Sequence, residues 1–194
     1  MVRLHFLQQW YALSNLDIVI GKSIGGGIPS AAYGITEEIA QAVERRSADG
    51  TADIVDVGGV GGTLAGNALS VAAMRATLEH VLTDATWPHT SALAADFCAG
   101  VNAAIAHSKL PWSCIQLGCR AEYRFTAPAP LNGSASAAAA DAGLEEYFHL
   151  YTANRGVLIT PFHNMALMCR DTNAADVQLH TKLFAAACAD IVGS

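Results

Sequence analysis

The sequence predicts an α/β domain over residues 1–85 that continues into a smaller α+β domain over residues 86–194. Three observations predict it. Two short β-branched runs, the mark of buried strands, flank a helical stretch in the first part of the chain. Apolar residues then recur at the helical period in four stretches. Three further runs of strand character lie among those helices.

The elements follow in order. Leu16-Asp17-Ile18-Val19-Ile20-Gly21 is the first strand and Ala52-Asp53-Ile54-Val55-Asp56-Val57 the second. Between them Thr36 to Arg46 reads as a helix, with Thr36 as its cap and Glu37 and Glu38 in the first turn, where the helix dipole favours anions. From Asn67 onward Val71, Met74, Leu78 and Leu82 keep helical spacing. Leu93, Phe97, Val101 and Ile105 repeat it, then Leu144, Tyr147, Phe148 and Tyr151. Val177, His180, Phe184, Ala187 and Ile191 complete the set, with Thr172 or Asn173 as cap. Strands are expected at Ser113–Leu117, Glu122–Thr126 and Val157–Thr160. Asp84 to Pro88 is expected to end the first long helix, and Ala127 to Gly143, rich in Ala, Pro, Ser and Gly, to form a mobile loop. No internal repeat is visible.

Composition narrows the function. The chain has 194 residues, 17 acidic and 11 basic, a formal net charge of −6. Charged residues make up 14% and hydrophobic ones 52%, with 37 alanines; typical soluble domains carry roughly 25% charge. Such a chain is too apolar to be disordered. It has no basic stripe to neutralise phosphates, which excludes a nucleic-acid partner. Few charges on so apolar a chain predict that much of its surface is buried against something else.

A membrane span is not expected, because no uncharged apolar run reaches the ~18–20 residues it needs. The best stretch, Ala65 to Leu82, is interrupted by Asn67, Arg75, Glu79 and His80. Met1-Val2-Arg3-Leu4-His5-Phe6 has none of the parts of a signal peptide. The five cysteines (98, 114, 119, 169 and 188) are odd in number and form no Cys-x-x-Cys pair. They are expected as free buried thiols in a reducing cytoplasm. The seven histidines are dispersed without metal-ligand spacing, so no metal is expected.

Two glycine-rich segments carry the chemistry: Gly21-Lys22-Ser23-Ile24-Gly25-Gly26-Gly27-Ile28-Pro29 and Gly58-Gly59-Val60-Gly61-Gly62-Thr63-Leu64-Ala65-Gly66-Asn67. The first is not a Walker A loop, since Leu16 stands where that motif needs glycine. Neither is a dinucleotide fingerprint, whose last glycine would fall on Leu64 or Ser30. A lysine at a strand end, followed by glycines that let backbone approach a flat ligand, fits another chemistry. Held in a desolvated setting, its amine loses a proton far below the ~10.4 of an exposed lysine. A neutral amine attacks a carbonyl to form a Schiff base, the attachment that pyridoxal phosphate uses. Gly62-Thr63, about 40 residues on, opens a helix whose N–H groups and hydroxyl suit a phosphate. The plainer alternative is a solvated lysine beside ordinary glycine turns.

The stretch Asp17 to Pro29 resembles the cofactor-lysine motif of the class III pyridoxal-phosphate-dependent aminotransferases. Gly62-Thr63-Leu64-Ala65-Gly66-Asn67-Ala68-Leu69-Ser70 resembles their Gly-Thr-x-x-Gly-Asn-Pro-Leu segment. Asn154-Arg155-Gly156-Val157-Leu158-Ile159-Thr160-Pro161 resembles the small-domain strand of the glutamate-1-semialdehyde aminomutase and β-amino-acid transaminase branch. The resemblance implies the C-terminal part of a fold-type-I large domain followed by a small α+β domain. It implies pyridoxal 5'-phosphate as cofactor, Lys22 as the Schiff-base lysine and proton shuttle, and Gly62 and Thr63 at the phosphate. It implies a small-molecule amino donor and carbonyl acceptor, and transaminase and aminomutase chemistry stay equally open.

The departures bear on activity. Family chains run to roughly twice this length, and the other half carries the phosphate-binding loop, the ring-stacking aromatic and the Asp that pairs with the pyridine nitrogen. That Asp would fall just upstream of Met1. The expected partner is therefore a second copy or a complementing N-terminal half, and the competing expectation is an inactive truncated or split subunit. The family's glycine-rich stretch after the lysine reads Ala31-Ala32-Tyr33-Gly34-Ile35, and the proline after Gly-Asn is Ala68. Pro161-Phe162-His163-Asn164 holds no carboxylate-binding Arg. Arg120 and Arg124 are candidates for substrate or interface contacts, or else ion pairs with Glu122. His163 is read as a polar strand-end residue.

Overall fold

The structure, a computed structural model, describes residues 18–48, 64–160 and 163–193. The chain divides into two compact units, Met1–Leu82 and Thr83–Ser194.

In the first unit β1 (Ile18–Gly21) pairs antiparallel with β2 (Ala31–Gly34), from Ile18 opposite Gly34 to Gly21 opposite Ala31. The strand β2 is not among the expected ones. Two alanines and a glycine carry little strand propensity, and it is the pairing that holds them extended. α1 (Glu37–Ala48) begins where Thr36 Oγ1 accepts a bond from Ile39 N at 3.4 Å, so the expected cap is in place. α2 (Ala68–His80) begins at Asn67, whose side chain accepts from Ser70 N at 3.0 Å. Burial is sparse. Only Ile24, Gly25 and Thr77 are buried among the described residues of this unit, while Val19 is 81% and Leu69 67% exposed. The strand expected over Ala52–Val57 lies outside the described residues.

The second unit contains α3 (Thr86–His107), β3 (Ser113–Leu117), β4 (Arg120–Arg124), α4 (Gly133–Ala138), α5 (Ala142–Ala153), β5 (Met165–Leu167) and α6 (Ala174–Gly193). Its sheet runs β3-β4-β5, antiparallel throughout. The register places Ile115 opposite Glu122, and Glu122 opposite Met165. The helices α3 and α6 pack closely at Gly100, where a Cβ would come within 2.7 Å of Thr181. Phe97, Val101, Tyr123, Phe148, Phe184 and Cys188 are buried at the centre. Phe184 meets Phe148 and Tyr123 at centroid separations of 4.9 Å each. The Asn102 side chain finishes β3: its Oδ1 accepts from Cys114 N at 3.0 Å and its Nδ2 donates to Cys114 O at 2.9 Å.

Four details differ from expectation. Pro88 sits in the first turn of α3, where its missing N–H would have no helical partner anyway. The loop after Ala127 contains α4, capped by Asn132, whose Oδ1 accepts from Ala135 N at 2.9 Å. The strand expected at Glu122–Thr126 lies two residues earlier. Val157–Thr160 is not a strand. Val157 N bonds back to Thr152 O at 3.0 Å, closing the end of α5, and β5 takes the edge of β4 instead.

All five cysteines are free. Cys114 and Cys188 are buried, and burial pushes the Cys188 thiol up to about 12. Cys98 and Cys119 are partly covered. The expectation of buried thiols fails at Cys169, which is exposed in the short connection between β5 and α6. Among the described residues no helix is long and apolar enough to cross a membrane.

Candidate active site

Lys22 is the first residue past β1 and opens a 3-10 turn, Lys22–Gly25. Its φ of 55° lies in the left-handed region, which costs a residue with a Cβ of order 1 kcal/mol. The turn around it holds that conformation. Gly26, at φ 58°, donates from its N–H to Ser23 O at 3.3 Å, and Ile28 N donates to Gly25 O at 3.0 Å. Ile24 packs inward. Two glycines are required by space as well as by angle. A Cβ on Gly25 would lie 2.7 Å from Ser30 Oγ, and one on Gly26 2.6 Å from Thr77 Oγ1.

The second of these contacts brings α2 against the lysine turn. Ser70 Oγ donates to Pro29 O at 3.1 Å, a bond across 41 residues. Asn67 organises the start of α2 by donating from Nδ2 to Leu64 O at 3.1 Å and to Ser70 Oγ at 3.0 Å. The described part of the second glycine-rich segment, Leu64 onward, therefore meets the first. Gly62 and Thr63 lie outside the described residues. Lys22 itself is exposed. The desolvated setting expected for it is not supplied by the described residues of this unit, whose two strands and two helices leave the strand end open.

The described residues fit one end of a cofactor site. They offer an accessible amine on a fixed backbone, with open space beside Gly27, whose φ is 99° and around which a Cβ would touch nothing within 4 Å. The arrangement suits a flat carbonyl compound that approaches along the glycine turn and is attached at Lys22 Nζ.

The remaining candidates lie in the second unit. Arg120 Nη2 is 2.5 Å from Glu122 Oε2, and Arg124 Nη2 is 2.7 Å from Oε1. Both arginines pair with Glu122, as one of their two expected readings has it. Sequence reasoning took Glu122 only as their partner. It is in fact buried, 6% exposed, at the centre of the trio. Alternation along Arg120–Arg124 puts all three charges on one face of β4. His163 is exposed in the turn before β5, its N–H on Thr160 O at 3.3 Å and its carbonyl 3.1 Å from His149 Nε2. His180, expected as one more apolar-face residue of the last helix, is buried among Phe97, Tyr123 and Phe184. Neither of its ring nitrogens has a hydrogen-bond partner among the described residues, and burial holds it down to about 4.

No family model matches the chain. Individual proteins do. It is 30% identical over 144 residues to the glutamate-1-semialdehyde 2,1-aminomutase of Neisseria gonorrhoeae, covering 73% of this chain and 31% of that protein. Among solved structures, the glutamate-1-semialdehyde-aminomutase of Pseudomonas aeruginosa PAO1 superposes with a TM-score of 0.84 at 42% identity, over 95% of this chain and 41% of that one. A variant of the same enzyme solved in complex with PMP gives 0.82 at 43%, over 93% of this chain and 40% of that one. An omega-transaminase from Sphaerobacter thermophilus, at 23% identity and a TM-score of 0.68 over 95% of this chain and 40% of that one, shares the fold. The chain thus spans about a third of the length of the curated relatives it matches and about two fifths of the solved chains. Its homologues are glutamate-1-semialdehyde aminomutases, its structural neighbours are class III pyridoxal-phosphate enzymes, and the chain matches a C-terminal portion of the pyridoxal-phosphate-dependent aminotransferase fold.

Proposed function

We propose that this chain supplies the lysine side of a pyridoxal 5'-phosphate site for amino-group transfer. Lys22 is the attaching amine, and Gly62 and Thr63 bind the cofactor phosphate. The observation that carries this reading is the backbone at Lys22, fixed at φ 55° between a strand end and a glycine turn to which α2 is bonded through Ser70 and Pro29. The relative solved with PMP supports it. The cofactor, when bound, supplies the electron sink for a substrate carbanion. Lys22 Nζ holds it in place and moves a proton between the substrate carbon and the cofactor. The substrates are a small amino donor and a carbonyl acceptor. Relatives that carry the aminomutase name favour internal rearrangement of one substrate over exchange between two.

A second reading concerns completeness. Val19, Leu64 and Leu69 stand exposed in the first unit, which favours a chain that works only with further polypeptide, either a complementing N-terminal half or a second copy. Free thiols throughout favour a cytoplasmic setting.

Borohydride reduction of the purified chain with pyridoxal phosphate tests the lysine assignment. A pyridoxyl adduct mapped to Lys22, and lost in Lys22→Ala, is the expected result. Labelling spread over surface lysines such as Lys109 and Lys182, with none at Lys22, would overturn it.

A further inference from the structure

We propose a ligand site on the outer face of the β3-β4-β5 sheet, in which Arg120 and Arg124 bind a small organic monocarboxylate. It does not rest on the reading of Lys22. Along β4 the side chains alternate, Ala121 and Tyr123 entering the core and Arg120, Glu122 and Arg124 taking the opposite face. The segment after Ala127 returns over that face. Pro130, Leu131, Asn132 and Ser136, with Ile115 from β3, line an open cleft of about 260 Å³ beside the three charges.

Charge within this cleft does not balance. Glu122 cancels one of the two guanidinium charges, and no other acidic side chain lines the space. Arg124 contacts Oε1 off the hydrogen-bonding direction, and that oxygen has no aligned donor among the described residues. The Arg124 side chain is 22% exposed, and its remaining N–H donors open toward the cleft, where a ligand can reach them. The described residues offer them no acceptor besides Glu122. Guanidinium donors that open into a half-covered cleft without a full complement of acceptors offer an anion charge-assisted hydrogen bonds.

The chemistry selects the anion. A guanidinium presents a planar fork that matches a carboxylate with two parallel bonds. The surplus is one charge, which a monoanion neutralises, whereas a phosphate dianion would place excess negative charge beside Glu122. Ile115, Pro130 and Leu131 give an apolar wall for a short aliphatic stem. The Asn132 amide nitrogen and the Ser136 hydroxyl, uncommitted among the described residues, stand at the mouth.

Butyrate is the probe, added to the full 194-residue chain and followed by saturation-transfer NMR, with butyramide and inorganic phosphate as comparators. Saturable butyrate binding is expected, at least tenfold tighter than either comparator, weakened at least tenfold in Arg124→Gln and partly kept in Arg124→Lys. Leu131→Asp guards against a folding artefact, because Leu131 is 96% exposed and its replacement disturbs no packing. A carboxylate at the mouth is expected to weaken butyrate at least threefold. Equal binding of butyramide, tighter binding of phosphate, or butyrate binding untouched by Leu131→Asp would each overturn the proposal.

Discussion

The two units spend similar sequences differently. Both are rich in alanine and aliphatic residues, yet the second buries a continuous aromatic centre and the first buries Ile24, Gly25 and Thr77 alone among its described residues. The second unit has the means to fold by its own packing, and the first holds its lysine turn through glycine angles and a few hydrogen bonds. The hardest way to break this comparison is Phe184→Ala. Phe184 is fully buried against Phe148 and Tyr123, and its truncation is expected to cost about 3–5 kcal/mol. A loss of unfolding free energy in urea of less than a quarter of that would show that the second unit does not stand on its core.

The pH dependence of the same core comes next. His180 titrates near 4 in the folded chain because burial disfavours its charged form, against about 6.5 when unfolded. The unfolded state therefore binds the proton first as pH falls. Stability is complete above about 6.5, is lost progressively from there down to about 4, and loses no more from this group below that. The loss is roughly 3 kcal/mol by linkage. His180→Phe keeps the ring contacts with Phe97 and Phe184 and removes the titration, so its urea midpoint is expected to lose that slope between pH 6.5 and 4.

Legibility in the sequence follows the same division. The helices α3, α5 and α6 were readable because each buries one apolar stripe, and a stripe writes a period into the chain. Caps at Thr36 and Asn173 were readable because few residue types do that work; Asn173 Oδ1 accepts from Ala175 N at 2.8 Å. The strand β2 and the failure of Val157–Thr160 were not readable, because what decides them is which edge finds a partner. At the candidate site the lysine and its glycines stood out as a motif. The positive φ of Lys22 and the Ser70–Pro29 bond did not, since both depend on α2 arriving beside a turn 41 residues away. Glu122 was hidden because alternation puts it on the outer face of β4, where a charge is expected to meet water, and its burial depends on cover that the strand pattern does not carry.

Gly26→Ala sharpens the comparison from the other side. At φ 58°, and with Thr77 Oγ1 only 2.6 Å from the new Cβ, the substitution is expected to cost about 1–2 kcal/mol. The damage belongs to the lysine turn. Amide exchange at Gly26 and Ile28 should accelerate at least fivefold, and pyridoxyl labelling of Lys22 should fall, while the urea transition of the second unit stays in place. A shift of that transition by as much as the turn itself loses would mean that the two units do not divide their stability in this way.

The smallest effect expected is at Asn67. Its side chain accepts from Ser70 N and donates to Leu64 O and Ser70 Oγ, so Asn67→Ala removes a cap and costs about 1 kcal/mol. Asn67→Asp separates the two roles of that amide. It keeps the acceptor at the N-terminus of α2 and adds a charge that the helix dipole favours, but it cannot donate to Leu64 O. If capping alone matters, the Asp variant protects the first turn of α2 from hydrogen exchange as well as Asn does. If it exchanges like the Ala variant, the donor bond to Leu64 is what fixes the chain entering α2.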